Sequence, residues 1–191
     1  MANIRIEEIT DGNIEICRAL CNELMAFQRS KATLAPEAFD AMNFDTRMKK
    51  SYEGALDRQV LVAMDGGVPV GYAFSTIERA ENIGAVAYPA WAPSKDPAVS
   101  KGFYPDWLET PCKVGCLSNL YVREDYRAYG IGSKLFGQSM AWLESVAEAE
   151  YIFIYVSNGN DEALRFYLSR GFSYSHEVFG GFIHAVYKKR S

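Results

Sequence analysis

The chain has 191 residues and a mass of 21.4 kDa, long enough for one α/β domain with a sizeable core. Its 49% hydrophobic and 23% charged residues are an ordinary globular balance. A net charge of −4 and a pI near 5.3 argue against nucleic acid as a general partner and are compatible with a cationic amine substrate.

The opening Met-Ala-Asn-Ile-Arg-Ile-Glu-Glu lacks the apolar core of a signal peptide, and no apolar run reaches the length of a membrane span. A cytoplasmic protein with no membrane partner is the expectation. Cys17, Cys21, Cys112 and Cys116 then read as reduced thiols. Three residues separate the members of each pair, where zinc sites more often have two, and no histidine lies close by. No metal is expected.

Asn3 to Ile9 alternates apolar and polar residues and predicts a first strand. Asp11 reads as the cap of a helix to about Gln28, with Ile14, Ile16, Leu20, Leu24 and Phe27 near helical spacing. Pro36 and Glu37 open a second helix to about Lys50, with a less clean apolar face. Gln59 to Met64, Asp65-Gly-Gly67 and Val68 to Ile77 predict a hairpin.

Residues 79–113 show neither helical nor strand periodicity and carry Pro89, Pro93, Pro97, Pro105 and Pro111. Tyr88, Trp91, Phe103, Tyr104 and Trp107 argue against plain disorder, which is poor in aromatics. This long insert reads as an ordered flap over a substrate pocket, a dimer contact or a packed loop. Next come a strand from Leu117 to Val122, a polar turn, and a helix with Ile131, Leu135, Phe136, Trp142, Leu143 and Val146 on its apolar stripe. Tyr151 to Val156 is apolar throughout, as in a strand buried on both faces. A helix opening at Asn160 and strands Phe172 to Phe179 and Phe182 to Lys188 complete the chain, with Gly180-Gly181 as a turn. The order βααβββαβαββ suggests a mixed sheet with helices on both faces.

Two stretches carry chemistry. In the first, Arg127-Ala-Tyr-Gly-Ile-Gly132 joins a strand to a helix. Glycines there let the backbone turn tightly and bring several N–H groups toward one point, and the helix dipole adds a positive field. The junction therefore suits a phosphate or pyrophosphate, although a glycine pair at a helix start is also a plain capping device. A dinucleotide-binding turn wants glycine where Leu135 stands, and a P-loop wants Gly-Lys-Ser/Thr where the order is Gly132-Ser133-Lys134. The second stretch runs from Val156 to Phe172. Asn160 is a good N-cap, Asp161 and Glu162 suit the positive first turn, and Gly171 closes the helix. Asn160, Ala163 and Tyr167 lie near one face.

Arg127 to Gly132 fits Arg/Gln-x-x-Gly-x-Gly/Ala and closely resembles the acyl-CoA pyrophosphate loop of GNAT-type N-acyltransferases. The second stretch resembles the Asn-x-x-Ala-x-x-x-Tyr-x-x-x-Gly-Phe element of the same family. In order of elements the resemblance covers residues 3–189, with its specific motifs in 117–135 and 156–172. It implies a GNAT fold of the α/β (α+β) class: a mixed, mostly antiparallel sheet of about seven strands with helices on both faces, in a single domain over 1–191. It also implies acetyl-CoA as acyl donor, no metal, a small-molecule or peptide amine as acceptor, and a homodimer as a frequent partner state.

The cofactor-binding residues implied by the resemblance are Leu120, Tyr121 and Val122 on the strand and Arg127, Ala128, Tyr129, Gly130, Ile131, Gly132 and Ser133 at the loop. Asn160 and Tyr167 join them from the later helix. Tyr167 is implied as the catalytic acid that protonates the leaving thiolate; the alternative is a ring packed on the sheet. Some relatives carry a basic glutamate four residues before the position of Leu120, and here Cys116 stands there. Glu78, Glu81 and Glu109 border the insert, as substitutes acting through a water or as solvated acids. Strand alternation allows at most one of Ser118 and Asn119 to face a substrate. His184, between Ile183 and Ala185, reads as packed in the sheet. A CoA-binding sensor without turnover is the alternative function.

Overall fold

The computed structural model describes residues 3–81 and 101–190. Strands β1 (Ile4–Glu8), β2 (Asp57–Asp65), β3 (Val68–Ala80), β4 (Cys112–Val122), β5 (Ala149–Ser157), β6 (Ser173–Val178) and β7 (Ile183–Lys189) form one sheet in the order β1-β2-β3-β4-β5-β7-β6. All neighbours are antiparallel except β4 and β5. The β2–β3 turn puts Gly66 at φ 55° and Gly67 at φ 93°, the left-handed pair that a two-residue hairpin needs.

Helices cover both faces, as the sequence predicts. On one side α1 (Arg18–Lys31) packs with Val60, Val62 and Met64, and with Tyr72 and Phe74 of β3. On the other, α3 (Ile131–Ser145) and α4 (Asp161–Ser169) meet Leu61, Ala63, Ala73, Ile152 and Ile154. The alternation of side chains along β2 and β5 thus divides one sheet between two cores. Each fully buried leucine or isoleucine stabilises the fold by about 1.5–3 kcal/mol relative to exposure.

A 3₁₀ turn, Ile14–Cys17, precedes α1, and Asp11 accepts the Asn13 N–H at 3.0 Å. The α1 N-cap position is Cys17, with no side-chain bond, so Asp11 orders the approach rather than capping the helix. Cys17 and Cys21 lie on its buried face as free thiols. The second helix is broken into a 3₁₀ helix (Pro36–Ala41), a π-helical turn (Asp45–Lys49) and α2 (Lys50–Gly54). The cause is Asn43, whose Oδ1 takes the N–H groups of Asp45 and Thr46 at 2.9 and 3.1 Å and competes with the helical ladder. Phe39, Met42, Phe44 and Met48 are buried all the same.

Strands β3 and β4 run further than their patterns suggest, to Ala80 and from Cys112. Of the insert, Tyr88, Pro89, Trp91, Pro93 and Pro97 lie outside the described residues. Its second part lies on the sheet. Trp107 has its ring centroid 5.1 Å from that of Tyr151 and 4.9 Å from that of Tyr187, and Tyr155 Oη donates to the Phe103 carbonyl at 2.9 Å.

Candidate active site

Parallel strands β4 and β5 begin side by side and then part. Their register pairs Lys113 with Ala149 and Val114 to Cys116 with Tyr151 to Phe153, and goes no further. Beyond that point Leu117 to Leu120 face Ile154 to Ser157 across a narrow split, closed from the helix sides by Leu24, Ala163 and Tyr167. A bulge sits in β4 at the fork: Phe74 pairs with Asn119 and Ser75 with Leu117, so Ser118 is an extra residue. Both Ser118 and Asn119 consequently line the same cavity, against the expectation from strict alternation.

Where β4 ends, residues Glu124–Tyr129 form a 3₁₀ turn, and Gly130, at φ 69°, starts α3 with no side-chain cap. The first-turn amides of a helix have no acceptor within it, and a glycine cap supplies none. Gly132 has open space, its nearest added-Cβ neighbour being Val122 Cγ2 at 3.9 Å. Arg127 lies at the turn, its Nε donating to the Val122 carbonyl at 3.1 Å and its guanidinium 4.8 Å from the Phe27 ring. This corner is a cavity lined by Leu120, Tyr121, Val122, Arg127, Gly130 and Gly132, with Ser133, Asn160 and Tyr167 completing the wall. Ala128, Tyr129 and Ile131 belong to the same turn but do not line it; the Ile131 side chain is buried in the α3 core.

Helix α4 holds Tyr167 firmly. Asn160 caps it, accepting the Ala163 N–H at 3.4 Å. Gly171, at φ 87°, ends it: its N–H reaches the Leu168 carbonyl, and the Phe172 N–H reaches that of Tyr167. This double closure is the Schellman pattern that glycine permits. The Tyr167 ring rests between Phe136, Phe166 and Phe172. Burial pushes its phenol well above the ordinary tyrosine range. Tyr167 lines both the corner cavity and the split.

On the α1 side of the fork the split opens into a further cavity of about 210 Å³, walled by Phe39, Phe103, Tyr104 and Phe182 and carrying Arg47 and Glu78. Glu78 accepts from Thr76 Oγ1 at 2.7 Å, and Tyr104 Oη is 3.5 Å from its other oxygen. Glu81 pairs with Arg79 at 2.9 Å, and Glu109 is exposed; neither lines the cavity. His184, half-buried, meets Tyr174 Oη at 3.2 Å and is not among the residues lining these cavities. Leu24, Phe27 and Gln28 of α1 are lining residues that the sequence reading took for a core stripe or passed over. A helical apolar face looks the same whether it meets a sheet or a cleft. Among the described residues no group of three or more His, Cys, Asp or Glu is placed to hold a metal ion.

The model of the acetyltransferase (GNAT) family matches residues 24–172. No curated protein matches the chain in sequence. Solved structures share the fold at low identity. An acetyltransferase from Thermus thermophilus is 16% identical with a TM-score of 0.57, each chain being covered to 99%. The PaiA N-acetyltransferase from Thermoplasma acidophilum, solved in complex with coenzyme A, is 14% identical with a TM-score of 0.61, covering 98% of this chain and 99% of that one. Arabidopsis thaliana Naa50, in complex with the bisubstrate analogue CoA-Ac-MVNAL, is 16% identical with a TM-score of 0.58 over 97% and 98% of the two chains. The family match spans both motifs and the split between β4 and β5: this chain belongs to the GNAT acetyltransferase family.

Proposed function

We propose that the protein is an acetyl-CoA-dependent N-acetyltransferase that moves an acetyl group to a primary amine of a small molecule or peptide. One observation carries this reading: three cavities adjoin in series, the corner at the uncapped start of α3 sharing Tyr167 with the split between the parted strands, and the split sharing Ser118 and Asn119 with the cavity of Glu78. An extended donor and an amine entering from opposite ends would meet beside Tyr167.

Acetyl-CoA supplies an activated acetyl thioester. The turn from Arg127 to Ser133 binds its pyrophosphate through uncapped amides and the α3 dipole, with Ala128, Tyr129 and Ile131 contributing backbone only. Leu120 to Val122 offer backbone groups to the pantetheine arm and N–H donors to the charge that develops on the thioester oxygen. Asn160 keeps the first turn of α4 beside the arm, and Tyr167 holds a proton for the departing sulfur. Direct attack by the amine is favoured over a cysteinyl intermediate. Cys116 is the thiol among the described residues lining the cavity, and burial raises it far above neutrality.

The test is calorimetry with acetyl-CoA followed by thiol release against a panel of primary amines and N-terminal peptides. Binding together with amine-dependent release is the expected result. Binding without release to any acceptor would make the protein a sensor, and absence of binding would remove the reading altogether.

A further inference from the structure

The α1-side cavity contains one carboxylate among its described lining residues, that of Glu78. Strand β3 is regular at this point, so Thr76 and Glu78 face the same side, and the bulge in β4 brings Ser118 alongside them. Thr76 Oγ1 is 2.7 Å from Glu78 Oε1 and 3.2 Å from Ser118 Oγ. A threonine hydroxyl has a single proton, and an ionised carboxylate can only accept. With that proton committed to Glu78, Thr76 accepts from Ser118, and Ser118 Oγ presents lone pairs. Ser118 lines both the acceptor cavity and the split beside Tyr167. A polarised chain of hydroxyls therefore leads from the meeting place of amine and thioester to a carboxylate.

We propose that Glu78 takes the proton that the acceptor ammonium must lose, by way of Ser118 and Thr76. This role rests on the acetyltransferase reading above. An N–H proton passes to Ser118, that of Ser118 to Thr76, and that of Thr76 to Glu78 Oε1, leaving a neutral nitrogen and a carboxylic acid. The nitrogen lone pair forms the C–N bond, the C–S bond breaks, and Tyr167 gives its phenolic proton to sulfur. The second proton shed by nitrogen restores Tyr167, and Glu78 releases the first to water through the mouth lined by Lys50, Ser51 and Leu56. At pH 7 only about one alkylamine molecule in a few thousand is neutral, which is why a route for the proton matters.

The groups that act on Glu78 come from four elements: Arg47 of the π-helical turn, Tyr104 of the insert, Cys116 of β4 and Tyr155 of β5. At the mouth Lys50 adds a cation, and Arg79 is paired with Glu81. Burial holds Tyr104, Tyr155 and Cys116 above their ordinary ranges, so they stay neutral near pH 7.

Two acceptors separate proton transfer from binding: the best alkylamine of the panel, and methoxyamine, which is already neutral at pH 7. Glu78→Gln keeps the shape and the Thr76 contact. It should lower kcat for the alkylamine about 100-fold at pH 7 and steepen its rise with pH, because only the already neutral amine then reacts, while methoxyamine turnover stays within about threefold and acetyl-CoA affinity is unchanged. Thr76→Val should show the same amine-selective loss and Thr76→Ser should restore the rate. Equal losses with both amines, or a native pH profile in Glu78→Gln, would overturn the role of Glu78 and leave the acetyltransferase reading standing. A native enzyme that turns over no amine would overturn that reading, and this role with it.

Discussion

Tyr167 is packed by three phenylalanines, so Tyr167→Phe removes a hydroxyl and little else. Its kcat should fall by about 100-fold with acetyl-CoA affinity unchanged, read by stopped assays and calorimetry; undiminished turnover would remove the acid role. Because burial raises the phenol, the pH–rate profile should show no descending limb from Tyr167 below about pH 10. Gly132 gives a second, cleaner probe. An added Cβ would meet Val122 Cγ2 only at 3.9 Å, whereas Gly130 sits at φ 69°, where any side chain is strained. Gly132→Val should therefore weaken acetyl-CoA binding at least tenfold, about 1.4 kcal/mol, while the melting temperature stays nearly constant. Both residues are legible in the sequence because their chemistry is local: a cap, a helix dipole and a glycine spacing. Glu78 is different. The sequence names it only as one of three acids bordering the insert, and what sets it apart is a hydroxyl from the neighbouring strand.

The element that locks the cleft in place is the end of β5, where it meets the end of α1. Asn158, 4% exposed, accepts the Thr33 and Leu34 N–H groups at 2.8 and 2.7 Å and donates to the Leu34 and Phe182 carbonyls at 3.1 and 3.0 Å. Asn158→Ala leaves buried donors and acceptors unpaired and should lower stability by about 2–4 kcal/mol, seen as a shifted urea midpoint. Gly159 follows at φ 76°, and a Cβ there would lie 1.9 Å from the Lys31 carbonyl oxygen, a clash with backbone. Gly159→Ala should be the more damaging of the two. At this scale the hairpin, the buried β5 and the cap of α4 could be read from the chain, since glycine pairs, apolar runs and Asn160 act within a few residues. The broken second helix could not. Helical spacing of Phe39, Met42, Phe44 and Met48 says nothing of Asn43 capturing two amides.

Across the whole molecule the insert is part of the fold rather than an appendage, at least over residues 101–111. Phe103, Tyr104 and Trp107 cover Phe153, Tyr155 and Tyr187, so removing the whole of 79–113 would uncover an aromatic face as well as alter the cavity of Glu78. His176 fastens this segment to β6: Nε2 donates to the Gly102 carbonyl at 2.8 Å, which leaves Nδ1 to accept from Ser175 Oγ at 2.8 Å. Burial lowers the His176 pKa below its ordinary 6.5, outweighing the Gly102 bond. The unfolded chain thus takes up the proton first. The contribution of His176 is fully present above about pH 6.5 and is lost as pH falls through the lower folded value. Amide exchange in residues 101–108 should accelerate between pH 7 and pH 5 after correction for intrinsic rates, and His176→Gln should abolish that dependence. The two-faced sheet was foreseeable from element order, but the fork of β4 and β5 is a property of register, which no single segment encodes. The extra residue at Ser118 has a consequence for how this chain can change length. Before it, the even positions Val114 and Cys116 look toward α1; after it, the odd positions Asn119 and Tyr121 do. Loss of that one residue would let β4 pair with β3 without interruption and leave Leu120, Tyr121 and Val122 on the faces they now occupy. β4 can therefore shorten by one residue at Ser118 without loss of phase, and what such a deletion removes is a hydroxyl rather than part of a core.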